Sequence, residues 1–262
     1  MDWSEIGLAI KCISYLWKFD KWSNKLVYLF HRYCCKPCKV IVFGTSGSGK
    51  TEFLRSITGN EVHETEPNRT NLYVTNKLYL PNGNKILFYD APGHMTLKNE
   101  RETLQKLIAN NKIDGIINIV TYGYNDASEA NNVSIFKSGS QIGEVKEDYL
   151  RTNRANELAQ LEEWKDRINS ANGIKWTITV INKADIWHSQ KDEVVGYYES
   201  GDYYDNFTKL IQRVCHTHIS EYCSLIAPFG KKPMVLTFSE RDKIRLHNAL
   251  LRELIEIINE RK

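Results

Sequence analysis

No stretch of this chain approaches the roughly 18 to 20 uninterrupted apolar residues that a helix needs to cross a bilayer. A membrane span is therefore not expected. An N-terminal apolar core followed by a small-residue cleavage site is also missing, and with it the signature of secretion. Six cysteines among 262 residues are too few for a disulfide framework, so a reducing, cytoplasmic setting is the expectation. Cys34, Cys35 and Cys38 offer one close pair in CKPC, whereas a structural zinc site usually declares two. Ordinary reduced thiols are the simplest reading, with zinc binding and lipidation of Cys34 or Cys35 as lesser alternatives. One-sided charge is lacking too: a formal net charge of +3 and a pI near 8.4 are too mild to argue for nucleic acid.

What is present is an ordinary globular composition, 42% hydrophobic and 26% charged, in a length that fits one enlarged domain better than two. Three separated signals organise it. The first is KVIVFGTSGSGKT, residues 39–51, where a β-branched run enters a glycine-rich turn and then a helix-forming segment. Gly44, Thr45, Ser46, Gly47, Ser48, Gly49, Lys50 and Thr51 complete the phosphate-binding pattern G-x-x-x-x-G-K-[ST]. Its glycines let backbone N–H groups curl around phosphate oxygens, and the following helix N-terminus adds its positive dipole. Lys50 would reach the β- and γ-phosphates, and the Thr51 hydroxyl would coordinate Mg2+.

The second signal is a hairpin that ends in a motif. NLYVTNKLYL (71–80) alternates through Leu72, Val74, Leu78 and Leu80, PNGN supplies an Asn82-Gly83 turn, and KILFYD (85–90) forms the next strand. The sheet that carries the phosphate loop therefore gains an antiparallel edge strand. Directly after it stands DAPGH, Asp90 to His94. The third signal is ITVINKAD, residues 178–185, an apolar strand that runs into Asn182, Lys183 and Asp185.

Taken in order, Gly44–Thr51, Asp90–Gly93 and Asn182–Asp185 resemble the first, third and fourth motifs of the P-loop GTPases. The resemblance covers roughly residues 39–261. It implies an α/β, three-layer G domain: a mostly parallel sheet with one antiparallel edge strand and nucleotide at the C-terminal strand ends. It further implies GTP or GDP as ligand and Mg2+ as cofactor, held by Thr51, by a switch threonine and, through water, by Asp90. In that family the residue matching Asp185 hydrogen-bonds the guanine N1 and exocyclic amine, that matching Asn182 steadies the base loop, and that matching Lys183 packs its stem on the base. Adenine lacks the paired donors, so GTP is favoured over ATP. Gly93 would offer its N–H to the γ-phosphate. His94 matches the position where Ras-like GTPases carry a glutamine and translation-factor GTPases a histidine that orients the attacking water.

Two motifs are blurred. GNEVHETEPNRT (59–70) resembles the first switch, with Thr70 preferred over Thr65 as its metal ligand because it stands just before the predicted strand. MVLTFSE stands where the fifth motif usually has Ser-Ala, leaving Thr237 to Ser239 as base-site candidates, Ser239 foremost.

Two stretches exceed a minimal GTPase. Residues 122–149 read as an insertion before a helix carrying Leu150, Ala155, Leu158, Leu161, Trp164 and Ile168, and offer an effector or regulator surface or a plain solvated loop. Tyrosine-rich 186–207 is a second enlarged connection that would extend that surface. A final helix from Arg241, through Ile244, Leu250, Leu254, Ile257 and Ile258, would close the core.

Residues 1–38 form an N-terminal helical extension, with Trp3, Ile6, Ile10, Ile13 and Trp17 on one face and lysines interspersed. It would pack on the domain or on a second copy, lie peripherally on a membrane, or dock a partner protein. Two functions stand open: a hydrolysing guanine-nucleotide switch coupled to a partner, or a scaffold that holds GTP without turning it over.

Overall fold

The β-branched run 38–44 forms a strand that continues straight into a turn of glycine and serine, and this strand lies at the centre of the fold. A computed structural model of the chain describes residues 36–59, 75–91, 108, 113–125, 135–137, 144–170, 174–210, 216–227, 229 and 238–260. Among these, six strands form one sheet: β1 (Cys38–Gly44), β2 (Thr75–Tyr79), β3 (Lys85–Asp90), β4 (Gly115–Val120), β5 (Trp176–Ile181) and β6 (His216–Glu221). Their spatial order is β2-β3-β1-β4-β5-β6. Only the β2–β3 pair is antiparallel, because the Asn82-Gly83 turn, with Gly83 at φ 84°, reverses the chain at once. The other pairings are parallel, so the loops after β1, β3, β4, β5 and β6 gather along one edge.

Alternation along the strands builds three layers. Val40 and Val42 of β1 face one side of the sheet with Phe88, Ile117, Ile119 and Ile178. Against them pack α1 (Lys50–Thr58) through Phe53, Leu54 and Ile57, and α6 (Glu240–Asn259) through Leu250, Leu254 and Ile257. Ile41 and Phe43 face the other side with Ile116, Val120 and Ile181. That side is covered by α2 (Glu147–Ser170), α3 (Ala184–Trp187), α4 (Lys191–Ser200) and α5 (Asp202–Leu210). Phe43 stacks on Trp164 of α2 with ring centroids 4.6 Å apart. Gly115 is required by its neighbour: a Cβ there would fall 1.9 Å from the Trp176 indole on β5.

The structure departs from the sequence reading at four places. Residues 186–207 are α3, α4 and the start of α5, and Tyr198, Tyr203 and Phe207 are buried in the core. Their aromatic rings supply packing area, while Tyr204 of the same segment stays exposed at 39%. Within 122–149, residues 122–125 are buried, Phe136 bridges Val145, and the helix already begins at Glu147. Ala155 and Ile244 lie on exposed helix faces, Ile244 at 58%. The last strand among the described residues is β6, ahead of MVLTFSE. At the hairpin tip, the Asn82 and Asn84 amides donate to Asn259 Oδ1 at the end of α6 (3.2 and 3.4 Å). No helix of the described residues is long and apolar enough to cross a membrane. Most of the 1–38 extension, with Cys34 and Cys35, lies outside the described residues.

Candidate functional site

The turn after β1 wraps through two left-handed glycines, Gly47 at φ 74° and Gly49 at φ 83°, before α1 begins at Lys50. At Gly49 the reason is space as well as backbone: a Cβ would stand 2.6 Å from Asn182 Nδ2. The Lys50 ammonium folds back into the loop that precedes it, donating to Gly44 O (2.8 Å) and Thr45 O (3.2 Å). Burial pushes its pKa down to about 8, with the charge of Asp90 acting in the opposite sense. Asp90 closes β3 beside it, and burial raises its carboxyl to about 6 against the pull of Lys50.

The loop after β5 clasps the phosphate loop from the side. Asn182 donates through Nδ2 to Ser48 O (3.0 Å), while its Oδ1 accepts from the N–H and hydroxyl of Ser224 (3.1 and 2.9 Å). Its backbone carbonyl accepts from Trp187 Nε1 (2.7 Å). Lys183, in a left-handed conformation at φ 60°, sends its ammonium to three carbonyls: Gly47 (2.8 Å), Asn125 (2.9 Å) and Tyr124. That ammonium also lies 5.5 Å from the ring centre of Phe229. Asp185 is buried, and burial raises its pKa. Its carboxylate accepts from the Ala227 N–H (3.2 Å) and the Cys223 thiol (3.5 Å), which partly offset that rise. The Cys223 thiol is itself pushed up to about 12, burial first and Asp185 second, so it stays a neutral donor.

A family model described as 50S ribosome-binding GTPase matches residues 39–183, from β1 to the Lys183 loop. The chain belongs to this P-loop GTPase family. Solved structures similar to it include the mammalian SRP receptor, 16% identical over 72% of this chain and 93% of that one, TM-score 0.43. Era from Aquifex aeolicus bound to GDP.AlF4- is 18% identical over 70% of this chain and 50% of that one, TM-score 0.41. The G domain of the T. maritima FeoB iron transporter is 13% identical over 74% and 92%, TM-score 0.37. This chain thus spans about half of Era's length. No curated protein sequence matches it.

The GTPase domain's own atoms fit the nucleotide and cation that such a domain holds. Thr45 Oγ1, Ser48 Oγ and Asp90 Oδ1 are buried with no hydrogen-bond partner among the described residues, at the mouth where phosphates and hydrated Mg2+ would supply one. Thr51 follows Lys50 in the first turn of α1. Gly44 to Thr51, Asp90, Asn182, Lys183 and Asp185 are thus brought to one edge of the sheet. Thr70, its rival Thr65, Gly93 and His94 lie outside the described residues.

Ser239 does not join them. It is the N-cap of α6: its hydroxyl accepts from Asp242 N (3.3 Å), and the Asp242 carboxylate accepts from the Ser239 N–H (3.1 Å). Among the described residues the place behind the base loop is held by Cys223, Ser224 and Ala227, which come after β6 and contact Asn182 and Asp185; Thr237 lies outside the described residues. The sequence conceals them because HTHISE is polar at every position but Ile219 and looks unlike a buried strand. The small pair Cys223-Ser224 after it is the available signal.

Proposed function

We propose that this GTPase domain binds GTP and GDP with Mg2+, hydrolyses GTP slowly by itself, and couples its nucleotide state to a partner. The observation that carries the reading is the double clasp between base loop and phosphate loop, Asn182 to Ser48 and Lys183 to Gly47, beside a buried Asp185. One element thereby reads the base while holding the phosphate cradle in shape. The two Asp185 oxygens suit the paired N–H groups of guanine, and an adenine in their place would leave a buried carboxylate badly satisfied. Lys50 would exchange its two carbonyl partners for phosphate oxygens, a stronger charge-assisted contact. Thr51, Asp90 through water, and Thr70 are the residues to hold Mg2+, which when bound neutralises charge across the β- and γ-phosphates.

His94 is assigned to orienting the attacking water, following Gly93 in the motif that resembles translation-factor GTPases. Its contribution is positioning and electrostatics, since phosphoryl transfer needs little covalent help from the protein. A regulator that seats His94 accelerates turnover, and residues 1–38 attach the domain to a partner protein, a second copy or a membrane surface. Titration of the purified chain with GDP and ADP tests the binding half: equal affinities sink it. Single-turnover hydrolysis tests the other half, with His94→Ala keeping GTP affinity and losing about tenfold or more in rate, roughly 1.4 kcal/mol of barrier. Tight GTP binding without any turnover, alone or with partner extracts, would make the chain a non-hydrolysing scaffold.

A further inference from the structure

Glu157, near the middle of α2, is a carboxylate almost wholly buried at 3% exposure and faces a converging set of donors. Its Oε1 accepts from the backbone N–H groups of Thr121 (3.0 Å) and Gly123 (3.4 Å), and the Thr121 hydroxyl lies 3.3 Å from the same oxygen. Its Oε2 accepts from the Tyr198 hydroxyl (2.7 Å), which in turn accepts from the Tyr122 N–H (2.8 Å). Three successive residues of the loop after β4 are therefore pinned, directly or through Tyr198, to one carboxylate.

That loop is strained where it is pinned. Tyr122 at φ 55° and Gly123 at φ 87° are both left-handed, and a tyrosine takes that conformation only when its surroundings impose it. Asn153, one turn before Glu157 on the same helix, also donates to Gly123 O (2.9 Å). The next two residues, Tyr124 and Asn125, present the carbonyls that receive the Lys183 ammonium. An unbroken chain of contacts thus runs from α2 through residues 121–125 to the lysine of the base loop, and from there to Gly47 in the phosphate loop.

We infer that Glu157 is a positioning residue for guanine nucleotide, acting through the loop Thr121–Asn125 to hold Lys183 in place. The inference rests on the nucleotide reading of this site and names a residue for it outside every motif. A structural carboxylate serving only stability is poorly suited to this place, since burying a charge is costly and an apolar side chain would fill the space. What the charge provides is a point on which several donors must agree, and it fixes the loop's shape. Glutamine has the same size but presents an amide donor on one side. Facing Tyr198, that donor would leave the tyrosine hydroxyl proton, whose partner is Glu157, without an acceptor.

The experiment is a double-mutant cycle on GDP affinity in the presence of Mg2+, measured by calorimetry on the full chain. Glu157→Gln weakens GDP binding by about tenfold, a size ordinary for coupled neighbours, yet costs less than about twofold when Lys183→Ala is already present. Leu254→Ala, a truncation in the core on the opposite face of the sheet, lowers the melting temperature without changing GDP affinity. Wild-type affinity in folded Glu157→Gln overturns the inference, as does a loss that persists undiminished in the Lys183→Ala background. If Glu157→Gln does not fold, Tyr198→Phe decides: it deletes one hydroxyl and should cost about threefold, again vanishing without Lys183, whereas unchanged affinity overturns the inference. Failure of the wild type to bind GDP is a different result, which takes down the nucleotide reading and this inference with it.

Discussion

Nucleotide binding should draw a proton onto Lys50 from solution. In the free protein the ammonium donates to Gly44 O and Thr45 O and feels the charge of Asp90, yet burial holds its pKa down to about 8 from 10.5. A depression of that size corresponds to about 3 kcal/mol of disfavour toward the charged form. Phosphate oxygens reverse it, because two or more negative charges then sit where the carbonyls were. At pH 8 roughly half of the free protein carries a neutral Lys50, so binding takes up about half a proton per GDP. Calorimetric titration of GDP in buffers of different ionisation enthalpy reads that number as a slope. Lys50→Arg, whose guanidinium stays charged at this pH, should abolish the slope. Tight binding with an enthalpy independent of buffer at pH 8, or an equal slope in Lys50→Arg, would refute the reasoning.

The same pair shapes the stability of the nucleotide-free protein. Asp90 is raised from 3.8 to about 6, so the folded state holds the extra proton and stability falls as pH rises through that window. Lys50 is depressed, so the unfolded state holds the extra proton between about 8 and 10.5 and stability climbs there. Urea melts across pH 4 to 10 should show a trough between about 6 and 8 that Mg2+ and GDP fill in. Gly49→Ala should cost roughly 1 to 2 kcal/mol for the left-handed backbone and about 1 more for the displaced Asn182 amide, read as a lower melting temperature. Ser239→Ala removes a helix cap, so it should lose about 1 kcal/mol of stability while GDP affinity stays at the wild-type value. Asp185→Asn should weaken GDP and favour xanthine nucleotides, whose ring offers a carbonyl to the new amide; competition between GDP and XDP checks it.

The parts of the site that obey a backbone rule are legible in the sequence. A turn that needs left-handed residues and close approach selects glycine, so GTSGSGKT announces itself, and Asn82-Gly83 fixes the antiparallel edge. Asn182, Lys183 and Asp185 can be read because a buried apolar strand delivers them. Ser224 and Cys223 offer only their small size as a signal, since their role depends on β6 being paired to β5 along its length, which polar HTHISE does not advertise. Glu157 is hidden for a different reason. Its helix shows an ordinary exposed spacing of charges, and only the packing of α4 brings Tyr198 over it. Tyr197 and Tyr198 mislead in the opposite direction, because a run of tyrosines reads as surface until the helices that carry it are folded against the sheet.

The two asparagine contacts at the hairpin tip have a mechanical consequence. The β2–β3 hairpin stands between residues 59–70, which resemble the first switch, and the DAPGH motif that begins at Asp90. It is riveted at three places: along β1 by the parallel ladder, at its base where Ala91 N donates to Val42 O, and at its tip by Asn259. A piece fastened at both ends serves as a post, not a piston. The register of the hairpin on β1 should then stay put through the nucleotide cycle, and hydrogen exchange in residues 85–90 should be equally slow with GDP and with a GTP analogue.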